Sequence, residues 1–462
     1  LSYTGFFARE DLFEVHKEGG KADELDVAYF VPRSQLGEYA EGERAKDGEG
    51  NLKCFPKGTF IYRLAGRERQ KSASYYTPES LVKCLVKYAL KELLEGKKAD
   101  ELLETTVCEP AMGSAAFLNE AADQLADAYL QRKQRETGKE IPLDEYTYEK
   151  QRVKMYLAAK GVFGVDLNPV AVELAEVSLW LGAIHRDAPV PWFGMQLVCG
   201  NSLVGARRAV YDSELLRPAV QGAPSWKDGP PETLKNFKRR KGTVYHFLLP
   251  SESMAEYGDK TVKSLLPDEV KRVKEWRKHF CKPFTEGEIN RLESLSEAVD
   301  GLWSACAEEQ ARLREEMADS LPVFGRPAHR KAAATSRHKD LRYAQEILSR
   351  RVRASSPYRR LKLAMDYWCA LWFWPLEKAD MLPSREEWLF DMELLLHGGV
   401  IDSVRTGESQ LPLFPSTAKE EAEQLVLRFG MVNVETLLSG NGRLKTADEL
   451  ARKYRFLHWE IE

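Results

Sequence analysis

The chain has no excess of basic charge: 68 Lys and Arg stand against 71 Asp and Glu, a formal net charge of −3. A protein that gathers nucleic acid through a global positive field is thereby excluded, and any such contact would rest on local patches. Its seven cysteines (Cys54, Cys84, Cys108, Cys199, Cys281, Cys306 and Cys369) contain no Cys-x-x-Cys pair. That scatter argues against a zinc site or a disulfide framework and suits a reducing cytoplasm. The eight histidines show no metal-ligand spacing either. No apolar run approaches the roughly 20 residues needed to cross a bilayer. The most apolar stretch, 367–376, is too short and contains Pro375. No signal peptide opens the chain and no solenoid-length repeat recurs in it, so no membrane partner is expected. It begins at Leu1, without an initiator Met, in sequence that already reads as structured; a preceding segment is therefore expected.

What is present is the balance of a globular protein with a real core: 43% hydrophobic and 30% charged residues. A length of 462 residues predicts two or three domains. Residues 1–70 mix short β-like runs with a charged, Gly-rich segment and read as a small appended β-rich unit. Residues 71–212 alternate strand and helix patterns, the mark of a wound α/β sheet. Residues 213–240 are rich in Pro, Gly and charge, which predicts a loop or boundary. The rest of 213–440 reads as a mainly helical insertion, and 441–462 as a segment returning to the sheet. Two basic stretches, Lys235 to Lys241 and Gly325 to Arg342, are candidate phosphate contacts or simply solvated charge.

Four segments within 74–205 carry chemistry. In Tyr75-Tyr76-Thr77-Pro78-Glu79, Thr77 is a candidate helix cap with Pro78 at the first helical position, which leaves backbone N–H groups for a carboxylate. In Cys108-Glu109-Pro110-Ala111-Met112-Gly113-Ser114-Ala115-Ala116, a β-branched run ends in an acid, turns at Gly113 and opens a helix at small residues. Glu109 could take an ammonium group there, and the small residues let backbone approach a ligand. The run is neither Gly-x-Gly-x-x-Gly nor a P-loop, which counts against a dinucleotide oxidoreductase and a nucleotide hydrolase. In Gly164-Val165-Asp166-Leu167-Asn168-Pro169, a buried strand delivers Asp166, whose carboxylate could accept both hydroxyls of a ribose. In Cys199-Gly200-Asn201-Ser202-Leu203, a further strand ends in a polar turn where Asn201 could meet an adenine edge.

Taken in this order, the four segments resemble the amino-terminal motifs of adenine-N6 DNA methyltransferases. The resemblance is to the large enzymes of restriction-modification and phage-exclusion systems, of the type IIG, BREX or DISARM kind. It implies a class I methyltransferase-like (Rossmann-like) sheet and S-adenosylmethionine as cofactor. It implies that Tyr76, Thr77 and the Gly113 turn, with Pro110 and Ala111, hold the methionine end of the cofactor. Glu109 would then meet its amino group, Asp166 and Leu167 its ribose side, and Asn201 its adenine. Two positions depart from the pattern: Ala115 stands where a second glycine is usual, and Asn201 where an acid is usual.

The sequence also lacks the Asn/Asp/Ser-Pro-Pro-aromatic loop that adenine-N6 transfer needs, so no catalytic residue is assigned. Gly229-Pro230-Pro231-Glu232 has neither the polar side chain nor the aromatic, and Ser355-Ser356-Pro357-Tyr358 has one proline and runs into a helix. A cytosine-C5 enzyme would need a Pro-Cys dipeptide, and none occurs. Residues 454–462 resemble the segment that precedes the catalytic strand in these enzymes. A carboxyl-terminal part or second chain carrying the loop and target recognition is therefore expected as a partner, together with double-stranded DNA and proteins of a defence system. The alternative is a non-catalytic cofactor-binding or assembly module.

Overall fold

The structure is a computed structural model that describes residues 3–16, 29–47, 49–64, 77–186, 190–218, 224–234, 238–318, 321–326, 339, 341, 356–398, 426–427, 431–432 and 434–461. It divides into two compact units, Leu1–Leu93 and Leu94–Glu462.

In the first unit, β1 (Tyr3–Phe7) pairs antiparallel with β5 (Phe60–Leu64). A second antiparallel sheet places β2 (Leu12–Val15) between β3 (Tyr29–Pro32) and β4 (Cys54–Phe55). Val15, Val31 and Leu36 form its small core. Helix α1 (Glu79–Leu94) buries Val82, Val86 and Leu90, a four-residue spacing that keeps them on one side of the helix. It begins one residue later than the sequence suggests. The Pro78 carbonyl accepts the Leu81 and Val82 N–H groups, which makes Pro78 the capping residue and puts Thr77 outside the helix.

The second unit opens with α2 (Ala99–Leu103) and then builds a parallel sheet in chain order: β6 (Val107–Glu109), β7 (Val162–Asp166) and β8 (Leu197–Cys199). Parallel strands need crossover connections. These are α3 (Ala116–Thr137) with α4 (Leu143–Lys160) between β6 and β7, and α5 (Pro169–Ala183) between β7 and β8. The Asn168 side chain accepts the Val170 N–H and Pro169 occupies the first turn, so α5 starts directly at the strand end. Met112, Leu118, Met155, Ala158, Val162, Ala175, Leu179 and Leu197 fill the space between helices and sheet. The protein is thus mixed α/β with a parallel sheet.

After β8 comes an antiparallel sheet in which β9 (Ala209–Asp212) lies between β10 (Glu232–Thr233) and β11 (Thr243–Tyr245); among the described residues of the Pro- and Gly-rich stretch 213–240, the two of β10 belong to it. Helices follow: α6 (Lys260–Leu265), α7 (Pro267–Phe280), α8 (Glu286–Met317), α9 (Pro357–Ala370) and α10 (Arg385–His397). Short strands β12 (Val426–Leu427) and β13 (Met431–Val432) precede α11 (Val434–Gly440) and α12 (Gly442–Tyr454). Ser356 is the cap of α9, its side chain accepting the Arg359 N–H, which accounts for the Ser-Pro-Tyr sequence; Ser355 lies outside the described residues. Tyr367 and Trp374 are fully buried beside Trp388, so the aromatic stretch is core.

The sequence divides this region into an insertion at 213–440 and a return segment at 441–462. One hydrophobic cluster runs through both, from Ala206 and Val210 to Leu444, Phe456 and Ile461. The chain comes back alongside the fourth motif: the Arg455 carbonyl accepts the Asn201 N–H at 2.6 Å, Asn201 and Phe456 bridge in parallel, and the Val204 carbonyl accepts the Leu457 N–H at 2.9 Å. Gly205 permits this approach, because a Cβ built there would stand 1.8 Å from the Leu457 carbonyl oxygen. Gly205→Ala should therefore lower stability by about 1–3 kcal/mol in urea unfolding, the range for overpacking a close contact. Gly258→Ala, where a Cβ meets nothing within 4 Å, should stay within about 0.5 kcal/mol of the parent.

Candidate functional site

The three parallel strands end together, and ligands of open α/β sheets bind outside such carboxyl ends. Glu109 closes β6, Asp166 closes β7, and Asn201 lies two residues beyond β8. Between β6 and α3 the chain turns through 110–115. The Val165 carbonyl accepts the Met112 N–H at 3.0 Å, tying the turn to β7. Met112 tucks beneath it against Gly164, where a Cβ would meet the Met112 sulfur at 2.3 Å. Gly113 has φ +54°, the left-handed region that glycine adopts without strain. Ala115 sits in the same region (φ 63°, ψ 34°) as the cap of α3, with no capping side chain. A left-handed alanine costs about 1–2 kcal/mol, so the position the sequence shows as a departure from glycine keeps the glycine-like backbone. The first-turn N–H groups of α3 therefore have no side-chain acceptor and no acidic neighbour.

Asp166 holds two loops at once. One carboxylate oxygen accepts the Gly113 N–H and the other the Asn168 N–H, both at 2.8 Å. Each oxygen retains a second lone pair for a ligand hydroxyl. Glu109 is its opposite: its Oε2 is buried and has no hydrogen-bond partner. Burial, with the Asp166 charge second, pushes the Glu109 carboxyl up to about 8. A buried carboxyl oxygen without a partner costs free energy unless a ligand donor meets it. Asn201 turns its Oδ1 back to the Leu203 N–H at 3.1 Å, which leaves its Nδ2 as the group able to reach a ligand. Leu167 is 55% exposed at the strand end, and Pro110 and Ala111 are exposed on the turn. Thr77 belongs to the first unit, whereas Glu109, Gly113, Asp166, Leu167 and Asn201 belong to the second. Tyr76 lies outside the described residues.

Residues that sequence reading passes over surround the loop after Asn201. The His458 Nδ1 accepts the Ala206 N–H at 2.9 Å, so its Nε2 carries the proton and donates to Asp366 at 3.0 Å. Burial acts to raise the Asp366 carboxyl, but Lys362 and His458 outweigh it and hold it below the usual range. The Glu460 Oε1 accepts the Arg208 N–H at 3.1 Å, and the His246 Nε2 lies 3.0 Å from both the N–H and the carbonyl oxygen of Arg207. The Trp459 indole donates to the Ser202 carbonyl at 3.0 Å. The pairings of His458 with Ala206 and of Trp459 with Ser202 span about 250 positions, beyond any local signal. Of the basic cluster near 240, Arg239 pairs with Asp300 and Arg240 with Glu232, while Lys235 lies outside the described residues. Most of Gly325 to Arg342 also lies outside them. No cluster of three or more metal-ligating side chains occurs among the described residues.

Two outcomes follow from this geometry. Asp166→Asn presents an amide N–H toward one of the two backbone donors, so it should cost about 1–2 kcal/mol of stability even without ligand, measured by urea unfolding. Burial pushes His246 down to about 4. Below its ordinary value near 6.5 the unfolded chain binds a proton that the folded one refuses. Stability should therefore fall as pH drops from about 6.5 to about 4, and His246→Asn should flatten that part of the profile.

Comparison with known proteins gives the site a context. Residues 59–192 match the N-6 DNA methylase family. The match takes in the first three motifs and stops short of Asn201. The chain is similar to a type II restriction enzyme and methyltransferase of Escherichia coli, 28% identical over 183 residues, which is 37% of this chain and 17% of that protein. It is also similar to a putative type II restriction enzyme and methyltransferase of Methanocaldococcus jannaschii, 30% identical over 120 residues, 23% of this chain and 9% of that protein. The likeness to the N-6 DNA methylase family is thus confined to residues 59–192, and the aligned parts span less than a fifth of either relative.

Proposed function

We propose that the chain is the cofactor-binding portion of an S-adenosylmethionine-dependent adenine-N6 DNA methyltransferase of a restriction-modification or phage-defence system. The observation that carries the reading is the buried, unpartnered Glu109 oxygen beside Asp166 at the ends of parallel strands. Bound there, the cofactor supplies a methyl group on a sulfonium. The chain's own residues would bind and orient it. Glu109 takes the ammonium, and the N–H groups of the Gly113 turn and the α3 start take the carboxylate end. Pro110 and Ala111 wall the turn. Asp166 accepts ribose hydroxyls on its remaining lone pairs, Leu167 covers the ribose side, and Asn201 donates to the adenine edge through its amide. Holding the cofactor in one pose lowers the entropic part of the barrier to transfer.

The loop that accepts the adenine amino hydrogens has no counterpart in this sequence, so it would come from further sequence or a second chain. Duplex DNA and defence-system proteins are the partners this reading implies, in the cytoplasm. The missing loop also favours a second reading, a cofactor-binding or assembly module without catalysis of its own.

Calorimetric titration with S-adenosylmethionine and, in parallel, NAD tests the reading; binding of the first alone is expected, and binding of NAD instead would sink it. Free Glu109 is mostly protonated at pH 7, and a cation beside it favours the carboxylate, so binding should release about one proton. Affinity should then rise between pH 6 and 7.5, and Glu109→Gln should remove the dependence of binding enthalpy on buffer ionisation.

A further inference from the structure

Arg455 touches both the third and the fourth motif from outside them. It ends α12 in the left-handed region (φ 55°, ψ 53°), where any non-glycine residue is strained. Its carbonyl accepts the Asn201 N–H at 2.6 Å. Its guanidinium Nη1 donates to the Leu167 carbonyl at 2.6 Å and lies 2.8 Å from the Cys199 sulfur. Leu167 directly follows Asp166, and Cys199 pairs in register with Asp166 on the neighbouring strand. One side chain, 288 positions away in sequence, therefore holds the backbone just after the carboxylate assigned to the ribose and touches the side chain of Cys199, its partner on the neighbouring strand.

A left-handed C-cap usually belongs to glycine, and an arginine kept there at a steric cost points to work done by its side chain. The charged donor holds the Leu167 carbonyl in one direction, at the residue exposed next to Asp166.

We propose that Arg455 is a positioning residue for the adenosine half of the cofactor: it locks the Leu167 loop and the strand end at Cys199 into the binding geometry without touching the ligand. The proposal rests on the S-adenosylmethionine reading above. It makes the return segment part of the cofactor site, so that the adenosine pocket forms only when the segment is docked beside Asn201.

Arg455→Gly separates this role from a structural one, because glycine relieves the left-handed strain while deleting the guanidinium. The purified chain and its variants are titrated with S-adenosylmethionine, S-adenosylhomocysteine and 5′-methylthioadenosine, with thermal unfolding recorded alongside. Arg455→Gly should keep or raise the melting temperature yet bind all three ligands about tenfold more weakly, the loss of one charged hydrogen bond. Arg455→Lys should recover most of that affinity, since an ammonium can still donate to the Leu167 carbonyl. Unchanged affinity in Arg455→Gly overturns the proposal, as does a loss that Arg455→Lys fails to restore and that tracks a lowered melting temperature. If the parent chain binds none of the three ligands, the S-adenosylmethionine reading itself falls, and the role of Arg455 with it.

Discussion

The constraint on which the second unit turns is the need to satisfy consecutive backbone groups just after the fourth motif. Residues 206–208 leave the parallel sheet and enter the antiparallel one, so their N–H groups have no ladder of their own at the crossing. Side chains from far along the chain meet them there: His458 for Ala206, His246 beside Arg207, and Glu460 for Arg208. Because an unpaired buried N–H is costly, the buried Ala206 ties the crossing to His458 of the return segment. His458 passes the constraint on to Asp366 in α9, and the Trp303 indole in α8 donates to the Glu460 carbonyl at 3.2 Å. The helical region and the sheet are in this way held to one geometry.

The candidate site inherits its shape from that arrangement. Asp166 and Glu109 are both acids at strand ends, yet they are partnered differently. Asp166 is met by two backbone donors, whereas Glu109 has a buried oxygen with none and a carboxyl pushed up to about 8. The difference comes from the turn between β6 and α3, whose Gly113 N–H points at Asp166 and leaves Glu109 without a donor. A ligand that brings a cation to one acid and neutral hydroxyls to the other would suit this pair, and the S-adenosylmethionine proposed above has that distribution of groups.

Much of this was legible from local pattern. The β-turn-α units at Glu109 and Asp166 follow from short β-branched runs, an acid, a small-residue turn and a helix start, all set by nearest neighbours in the chain. The helix starts at Asn168 and Ser356 are capping signals of the same local kind. Where local reading slipped, a neighbour one turn away decided: Pro78 rather than Thr77 caps α1, because its carbonyl meets the first helical N–H groups. The two-residue strand β10 was hidden in Pro- and Gly-rich sequence, since short strands of an antiparallel sheet draw their stability from pairing rather than from composition.

The sequence by itself determined the order of the motifs, the acids at the strand ends and the small-residue turn between them. Only the tertiary structure decided which groups those acids face, that Ala115 takes the left-handed backbone of the glycine it replaces, and that Arg455 reaches the Leu167 carbonyl. The reason is one of range: capping, alternation and turn chemistry act over a few residues, whereas a side chain paired across 250 or more positions leaves no periodic trace in the chain that carries it.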